Sequence, residues 1–219
     1  MARTFDRRPV KSRQARWIRG LAAWLGRRSV SPNAISVASV ASATAAAACL
    51  VSLRATGFRA LQILLLALAA GFILLRLLCN VVDGLVAVEG GRKSRTGDLY
   101  NEVPDRFSDV IVIAGAGYAV PGLTWAVTVG WIAATLAVLT AYVRMVGATL
   151  GFQQDFSGPM AKAHRMAVLV AACAVSVLEV VTAGYRGWAI VAALAVIAVG
   201  SAVTFGRRLL AIAQRLQAR

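Results

Sequence analysis

The chain has 219 residues, a formal net charge of +15, 59% hydrophobic and 15% charged residues, and a mean hydropathy of +0.71. A soluble globular domain is about half apolar and about a quarter charged, so that class is excluded. The basic residues stand in short segments between long apolar runs, the layout of topology signals and anionic-lipid contacts, and no nucleic-acid partner is expected.

Residues 1–32 carry nine Lys/Arg and one acid, Asp6. Trp17, Ile18, Leu21, Trp24 and Leu25 recur at helical spacing with Arg13, Arg16, Arg27 and Arg28 around them. This predicts an amphipathic helix in the headgroup layer, tryptophans down and arginines toward lipid phosphates. The basic stretch is too long for the n-region of a cleavable signal peptide, so the first span is expected to stay in the mature protein. Ser31-Pro32-Asn33 then punctuates the chain.

Six apolar runs follow, near residues 33–53, 59–88, 99–120, 123–150, 165–184 and 188–210. The expected fold is therefore an all-α polytopic membrane protein. Residues 1–32 form a basic juxtamembrane segment and 33–219 one six-helix membrane domain. Cys49, Cys79 and Cys173 lie inside apolar runs without paired spacing and read as small buried hydrophobes. Nineteen Lys/Arg fall on the side of the termini and three, Arg54, Arg59 and Arg186, on the other. The positive-inside rule places both termini in the cytoplasm.

Six of the nine acids (Asp83, Glu89, Asp98, Glu102, Asp105 and Asp109) lie within 27 residues, on the second and third spans and their link. Ionised groups in a membrane helix cost at least ~2.5 kcal/mol near its centre and mark function. Ion pairing, for instance of Asp105 or Asp109 with Arg76 or Arg106, accounts for one of them but not the set. Asn80, Asp83, Gly84 and Ala87 share one helical face; Asn101, Asp105 and Asp109 share another. A short link predicts that the two helices are antiparallel neighbours whose faces converge. Their oxygen donors suit Mg²⁺ or Mn²⁺, with a substrate phosphate completing the shell.

These residues resemble the CDP-alcohol phosphatidyltransferase family, whose pattern is D-x2-D-G-x2-A-R-x8-G-x3-D-x3-D. Here Asn80, Asp83, Gly84, Ala87, Val88, Gly97, Asn101 and Asp105 keep every interval over 26 residues. Ser31-Pro32-Asn33 is similar to the family's Pro-Asn start of the first span. Tyr142-Val143-Arg144, then Gly151, Gly158, Lys162 and Arg165, resembles the stretch after the fourth span. The resemblance implies a homodimer of six-helix protomers in a bacterial cytoplasmic membrane. It also implies a bimetal site of Asn80, Asp83, Asn101 and Asp105 taking Mg²⁺ or Mn²⁺. The implied reaction transfers a substituted phosphoryl group from a CDP-alcohol, CDP-diacylglycerol foremost, to an acceptor hydroxyl with release of CMP. Asp105 would be the base; Gly84, Ala87 and Gly97 would pack around the nucleotide.

Three positions depart from the pattern: two aspartates are Asn80 and Asn101, and the arginine is Val88. Each asparagine removes a negative charge from the metal set. A single metal, or compensation by Glu102, Asp109 or Glu89, is one consequence. A non-catalytic relative that binds CDP-lipid or scaffolds a synthesis complex is the other. Asp109, one turn beyond Asp105, is expected to tolerate asparagine. Arg144, Lys162 and Arg165 are candidate contacts to an acceptor phosphate or lipid headgroup, and serve equally as positive-inside residues. His164 reads as a solvated bystander, and Glu179 as a partner of Arg186. A small transporter ranks last, for want of repeats and broken helices.

Overall fold

The computed structural model describes residues 15–89 and 97–218, with only the backbone of Val88, Glu89, Asp98 and Asn101. The described residues form seven α-helices. They are α1 (Arg16–Arg27), α2 (Pro32–Ser52), α3 (Arg59–Glu89), α4 (Gly97–Tyr118), α5 (Thr124–Thr149), α6 (Lys162–Thr182) and α7 (Trp188–Gln217). Arg92, Lys93 and Arg95, counted above among the cytoplasmic charges, lie outside the described residues.

Helix α2 starts where the punctuation places it. Ser31 Oγ accepts the Ala34 N–H at 3.1 Å and Pro32 occupies the first turn, where a missing N–H costs nothing. Helix α1 turns Ile18 and Ala22 into a small cluster with Ile35 of α2 and Val82, Leu85 and Val86 of α3. Trp17 and Trp24 face outward, and the Arg28 guanidinium lies 5.5 Å over the Trp24 ring. The apolar stripe is thus divided: its middle packs on the bundle and its tryptophans are left to the surroundings.

Helices α2 to α7 form a closed ring in the spatial order α2, α3, α6, α7, α5, α4 and back to α2. This corrects the expectation that the second and third spans pack side by side. Among the described residues α2 lies between α3 and α4, its small side chains admitting both. A Cβ on Gly115 of α4 would stand 2.8 Å from the Ala47 Cβ of α2. The α4–α5 approach is equally close, with a Cβ on Gly117 falling 2.8 Å from the Ala126 carbonyl oxygen. Large apolar side chains such as Leu64, Leu68 and Leu75 of α3 and Leu178 of α6 face outward.

Five helices among the described residues are long and apolar enough to cross a membrane, one fewer than the six expected. The exception is α4, which has the length at 22 residues but carries Asp98, Glu102, Asp105, Arg106 and Asp109 in its first half. Of these, Glu102, Asp105 and Asp109 pair with cations from other helices inside the ring. The chain is an integral membrane protein of helical type.

At the far end of the bundle Glu179 caps α7, accepting the Gly187 and Ala189 N–H groups at 3.0 and 2.7 Å. A carboxylate at a helix N-terminus satisfies donors that the helix cannot. This replaces its expected pairing with Arg186. At the near end, the 150–161 loop is fastened to α7: Met160 N–H donates to Thr204 Oγ1 at 3.0 Å and Arg208 Nε to the Ser157 carbonyl at 3.0 Å. Gly158, at φ +117°, passes so near Thr204 that a Cβ would sit 2.5 Å from its methyl group.

Candidate functional site

Every helix of the ring places a buried polar residue toward one end of its interior: Ser36 and Ser39 from α2, Arg76 and Asp83 from α3, Asp105 and Asp109 from α4, Arg144 from α5, Arg165 from α6 and Arg208 from α7. That end holds the starts of α2, α4 and α6 and the finishes of α3, α5 and α7. Asp83 lies 24 residues along α3 from Arg59, about 36 Å at 1.5 Å per residue, so it reaches the edge of a hydrocarbon core ~30 Å thick. The polar interior therefore sits at the membrane boundary, where a water-soluble group can enter.

Three ion-pair groups organise it. Deepest is Asp109, whose two oxygens are taken by Arg76 of α3 and by Arg165 of α6, the latter at 2.9 Å. All three side chains are at most 2% exposed. Arg76 Nη2 also donates to the Asp105 carbonyl at 3.3 Å, and Arg165 Nη1 to Met160 O at 3.0 Å and Thr140 Oγ1 at 3.3 Å. One turn nearer the surface, Lys162 Nζ stands 2.6 Å from Asp105 Oδ2, with Arg106 at 3.6 Å. Toward the rim, Arg144 donates to Glu102 Oε2 at 2.7 Å and to Gln154, its guanidinium 5.2 Å over the Phe156 ring.

Ion pairing thus holds three acids, not the one allowed from sequence. Asp83 is the described acid of the cluster without a cationic partner within 4 Å; Ser36 of α2 donates to its Oδ2 at 2.7 Å. Ser39 donates to Asn80 Oδ1 at 3.3 Å. Neither serine stood out in the sequence, although Ser36, Ser39 and Ser42 recur every third residue through an apolar, alanine-rich span. Arg76 was likewise passed over as a site residue, yet it precedes Asn80 by four residues and Asp83 by seven on the same face.

Two carboxylate oxygens remain without partners inside this constellation, Asp83 Oδ1 and Asp105 Oδ1, alongside the donors Asn80 Nδ2, Arg76 Nε, Arg76 Nη1 and Arg165 Nε. Asp83 is 4% and Asp105 7% exposed. A buried anionic oxygen with no donor is strongly disfavoured unless a cation or proton completes it. The donor set suits one hard divalent cation, since Mg²⁺ is commonly held by one or two carboxylates plus substrate phosphate. No group of three or more His, Cys, Asp or Glu close enough for a metal is found among the described residues.

The remaining residues singled out above distribute as follows. Gly84 and Ala87 are half-buried in the last turns of α3, and Gly97 is the first residue of α4. The side chain of Asn101 lies outside the described residues. Arg165 and Arg144 are committed to partners within the fold, and Lys162 is paired with Asp105 Oδ2. His164 is exposed, its Nδ1 2.9 Å from the Pro159 carbonyl.

No family model and no curated protein sequence matches the chain. Solved structures do. The Mycobacterium tuberculosis phosphatidylinositol phosphate synthase PgsA1 with CDP-DAG bound superposes with a TM-score of 0.70 at 19% identity, over 90% of this chain and 94% of that one. The same enzyme with manganese and citrate gives 0.70 at 20% identity, over 89% and 88%, and its apo form 0.69 at 20%, over 87% and 93%. PgsA1 is a CDP-alcohol phosphatidyltransferase. The ring of six helices is thus the fold of that enzyme, shared over nearly the whole of both chains.

Proposed function

We propose that the chain is a CDP-alcohol phosphatidyltransferase that moves a substituted phosphoryl group from a CDP-alcohol, CDP-diacylglycerol foremost, to an acceptor hydroxyl, releasing CMP. The observation that carries the reading is the pair of buried, unpartnered oxygens, Asp83 Oδ1 and Asp105 Oδ1, inside a fold that binds CDP-DAG in PgsA1. The interval pattern from Asn80 to Asp105 supports it independently.

On this reading Asp83 and Asp105 hold Mg²⁺ or Mn²⁺, with Asn80 and Asn101 as neutral neighbours. The cation supplies charge stabilisation on the phosphoryl oxygens and the leaving CMP. The chain's own residues do the rest. The Asp105 carboxylate accepts the proton of the attacking hydroxyl, while Lys162 donates to its Oδ2 and fixes the carboxylate's rotation. Ser36 fixes Asp83 in the same way. Gly84, Ala87 and Gly97 present a small-residue surface to the nucleotide. Arg144 and Lys162, near the rim, meet an acceptor phosphate or headgroup; Arg165 supports them from beneath through Asp109. Homodimers, two domains divided near residue 32, and a bacterial cytoplasmic membrane with both termini inside belong to the same reading.

A second reading, a non-catalytic CDP-lipid binder, is favoured by the Lys162–Asp105 pair, which places an ammonium on the proposed base. One assay separates the two. Purified protein with CDP-diacylglycerol, Mn²⁺ and a panel of acceptor alcohols should release CMP. Asp105→Asn should lower the rate ~10²–10⁴-fold, the usual contribution of a positioned base. CDP-lipid binding with no CMP from any acceptor would establish the non-catalytic reading.

A further inference from the structure

We infer that the site is built for one divalent cation per protomer, between Asp83 Oδ1 and Asp105 Oδ1, with the Lys162 ammonium standing in for a second positive charge. The inference rests on the transferase reading and changes its metal requirement.

Each carboxylate has one oxygen already committed, Asp83 Oδ2 to the Ser36 hydroxyl at 2.7 Å and Asp105 Oδ2 to Lys162 Nζ at 2.6 Å. One oxygen from each is left, buried and without a partner. One free carboxylate oxygen from each of two helices is the minimal protein contribution to a Mg²⁺ or Mn²⁺ shell. A second ion would need further anionic ligands. The neighbouring position on α3 is Asn80, whose Oδ1 takes the Ser39 hydroxyl and whose buried Nδ2 has no acceptor. An amide N–H₂ group repels a cation and attracts a phosphate oxygen. Asn80 is therefore arranged as a donor to substrate.

Charge points the same way. Two carboxylates carry two negative charges and Lys162 returns one of them. One divalent ion leaves the centre singly positive, ready for a pyrophosphate. A second would leave an excess that no described acid relieves, since Glu102 and Asp109 are held by Arg144, Arg76 and Arg165. A lysine at 2.6 Å from Asp105 also does what a second metal would do for charge, without needing ligands of its own.

Mn²⁺ titration of the full-length, detergent-solubilised protein, followed by electron paramagnetic resonance, tests this without turnover. One Mn²⁺ per protomer with the spectrum of an isolated ion is expected. Asn80→Asp combined with Asn101→Asp should admit a second Mn²⁺ and give a spin-coupled spectrum. Lys162→Gln, which removes the competing ammonium, should tighten the single Mn²⁺ by about tenfold or more. Two Mn²⁺ per protomer in the unaltered protein, or none, would overturn the inference, as would unchanged affinity in folded Lys162→Gln. Two Mn²⁺ with CMP release would leave the transferase reading intact. One Mn²⁺ with no CMP from any CDP-alcohol would remove the transferase reading and leave the single-metal site standing.

Discussion

Arg165 of α6 donates to Asp109 of α4 at 2.9 Å across the interior of the ring, with the other Asp109 oxygen held by Arg76 of α3. Three helices, α3, α4 and α6, are thereby tied at one carboxylate. Between two guanidiniums, Asp109 is committed to the fold rather than to a ligand. The sequence expectation that Asp109 tolerates asparagine is corrected on this ground. Asp109→Asn leaves two buried guanidiniums facing a neutral group, and breaking a buried pair typically costs ~3–5 kcal/mol. Thermal unfolding in detergent should show a large loss of stability. Unchanged stability would mean that the triad is not a structural tie.

Gly117 offers a test of packing away from the charges. A Cβ there would meet the Ala126 carbonyl oxygen at 2.8 Å, the Val127 Cα at 3.1 Å and the Gly130 Cα at 3.2 Å. All three are backbone atoms, so relief requires α4 and α5 to separate. Gly117→Ala should destabilise by ~1–3 kcal/mol, the usual cost of overpacking. Gly71→Ala is the control, since nothing lies within 4 Å of a Cβ there, and it should unfold like the unaltered chain.

The helices were legible because each apolar run is long enough to have one meaning in a membrane, and because Ser31 and Pro32 mark the start of α2 chemically. The ring order was not. A seven-residue link reaches up to about 25 Å, wide enough for a third helix to lie between the two it joins. Only the alanines of α2 and the glycine at 115 decide that α2 takes that place, and close packing of small residues leaves little mark on hydropathy. In the site, Asp83 and Asp105 stood out as charges in apolar surroundings. Arg76 was legible as a partner of one acid but not as one member of a triad, because Arg165 lies 56 residues beyond Asp109. Ser36 and Ser39 escaped because a serine in a membrane helix can bond to its own backbone, as Ser42 does to the Ala38 carbonyl at 2.9 Å.

Topology is open to a direct check. Gly57 is exposed in the turn between α2 and α3, and Gln217 is exposed at the end of α7. In whole cells, Gly57→Cys should react with a membrane-impermeant thiol reagent and Gln217→Cys should not, against a background lacking Cys49, Cys79 and Cys173. The opposite pattern would reverse the orientation read from nineteen basic residues against three and move the site to the outer face.

Ser36 provides the last test, because it touches Asp83 without being a charge itself. Its hydroxyl donates to Asp83 Oδ2 at 2.7 Å from the first turns of α2, and Asp83 has no cation within 4 Å to hold it. Ser36→Ala removes that donor and leaves Asp83 without its side-chain hydrogen-bond partner. A hydrogen bond to a charged group contributes about 1.5–3 kcal/mol, so the carboxylate loses much of its orientation but keeps its charge. Asp83 remains able to bind a divalent ion from a wider range of rotamers. The expected result is a folded protein whose half-saturating Mn²⁺ concentration rises about tenfold or more, while the CMP-release rate at saturating Mn²⁺ falls only modestly. Asp83→Asn should differ in kind, because added metal cannot restore a charge that is gone. Its CMP release should stay low at every Mn²⁺ concentration. Ser36→Thr, which keeps the hydroxyl, should return the metal dependence toward that of the unaltered chain. If Ser36→Ala left the Mn²⁺ requirement unchanged, Asp83 would not be a ligand, and the metal assignment on α3 would have to be withdrawn.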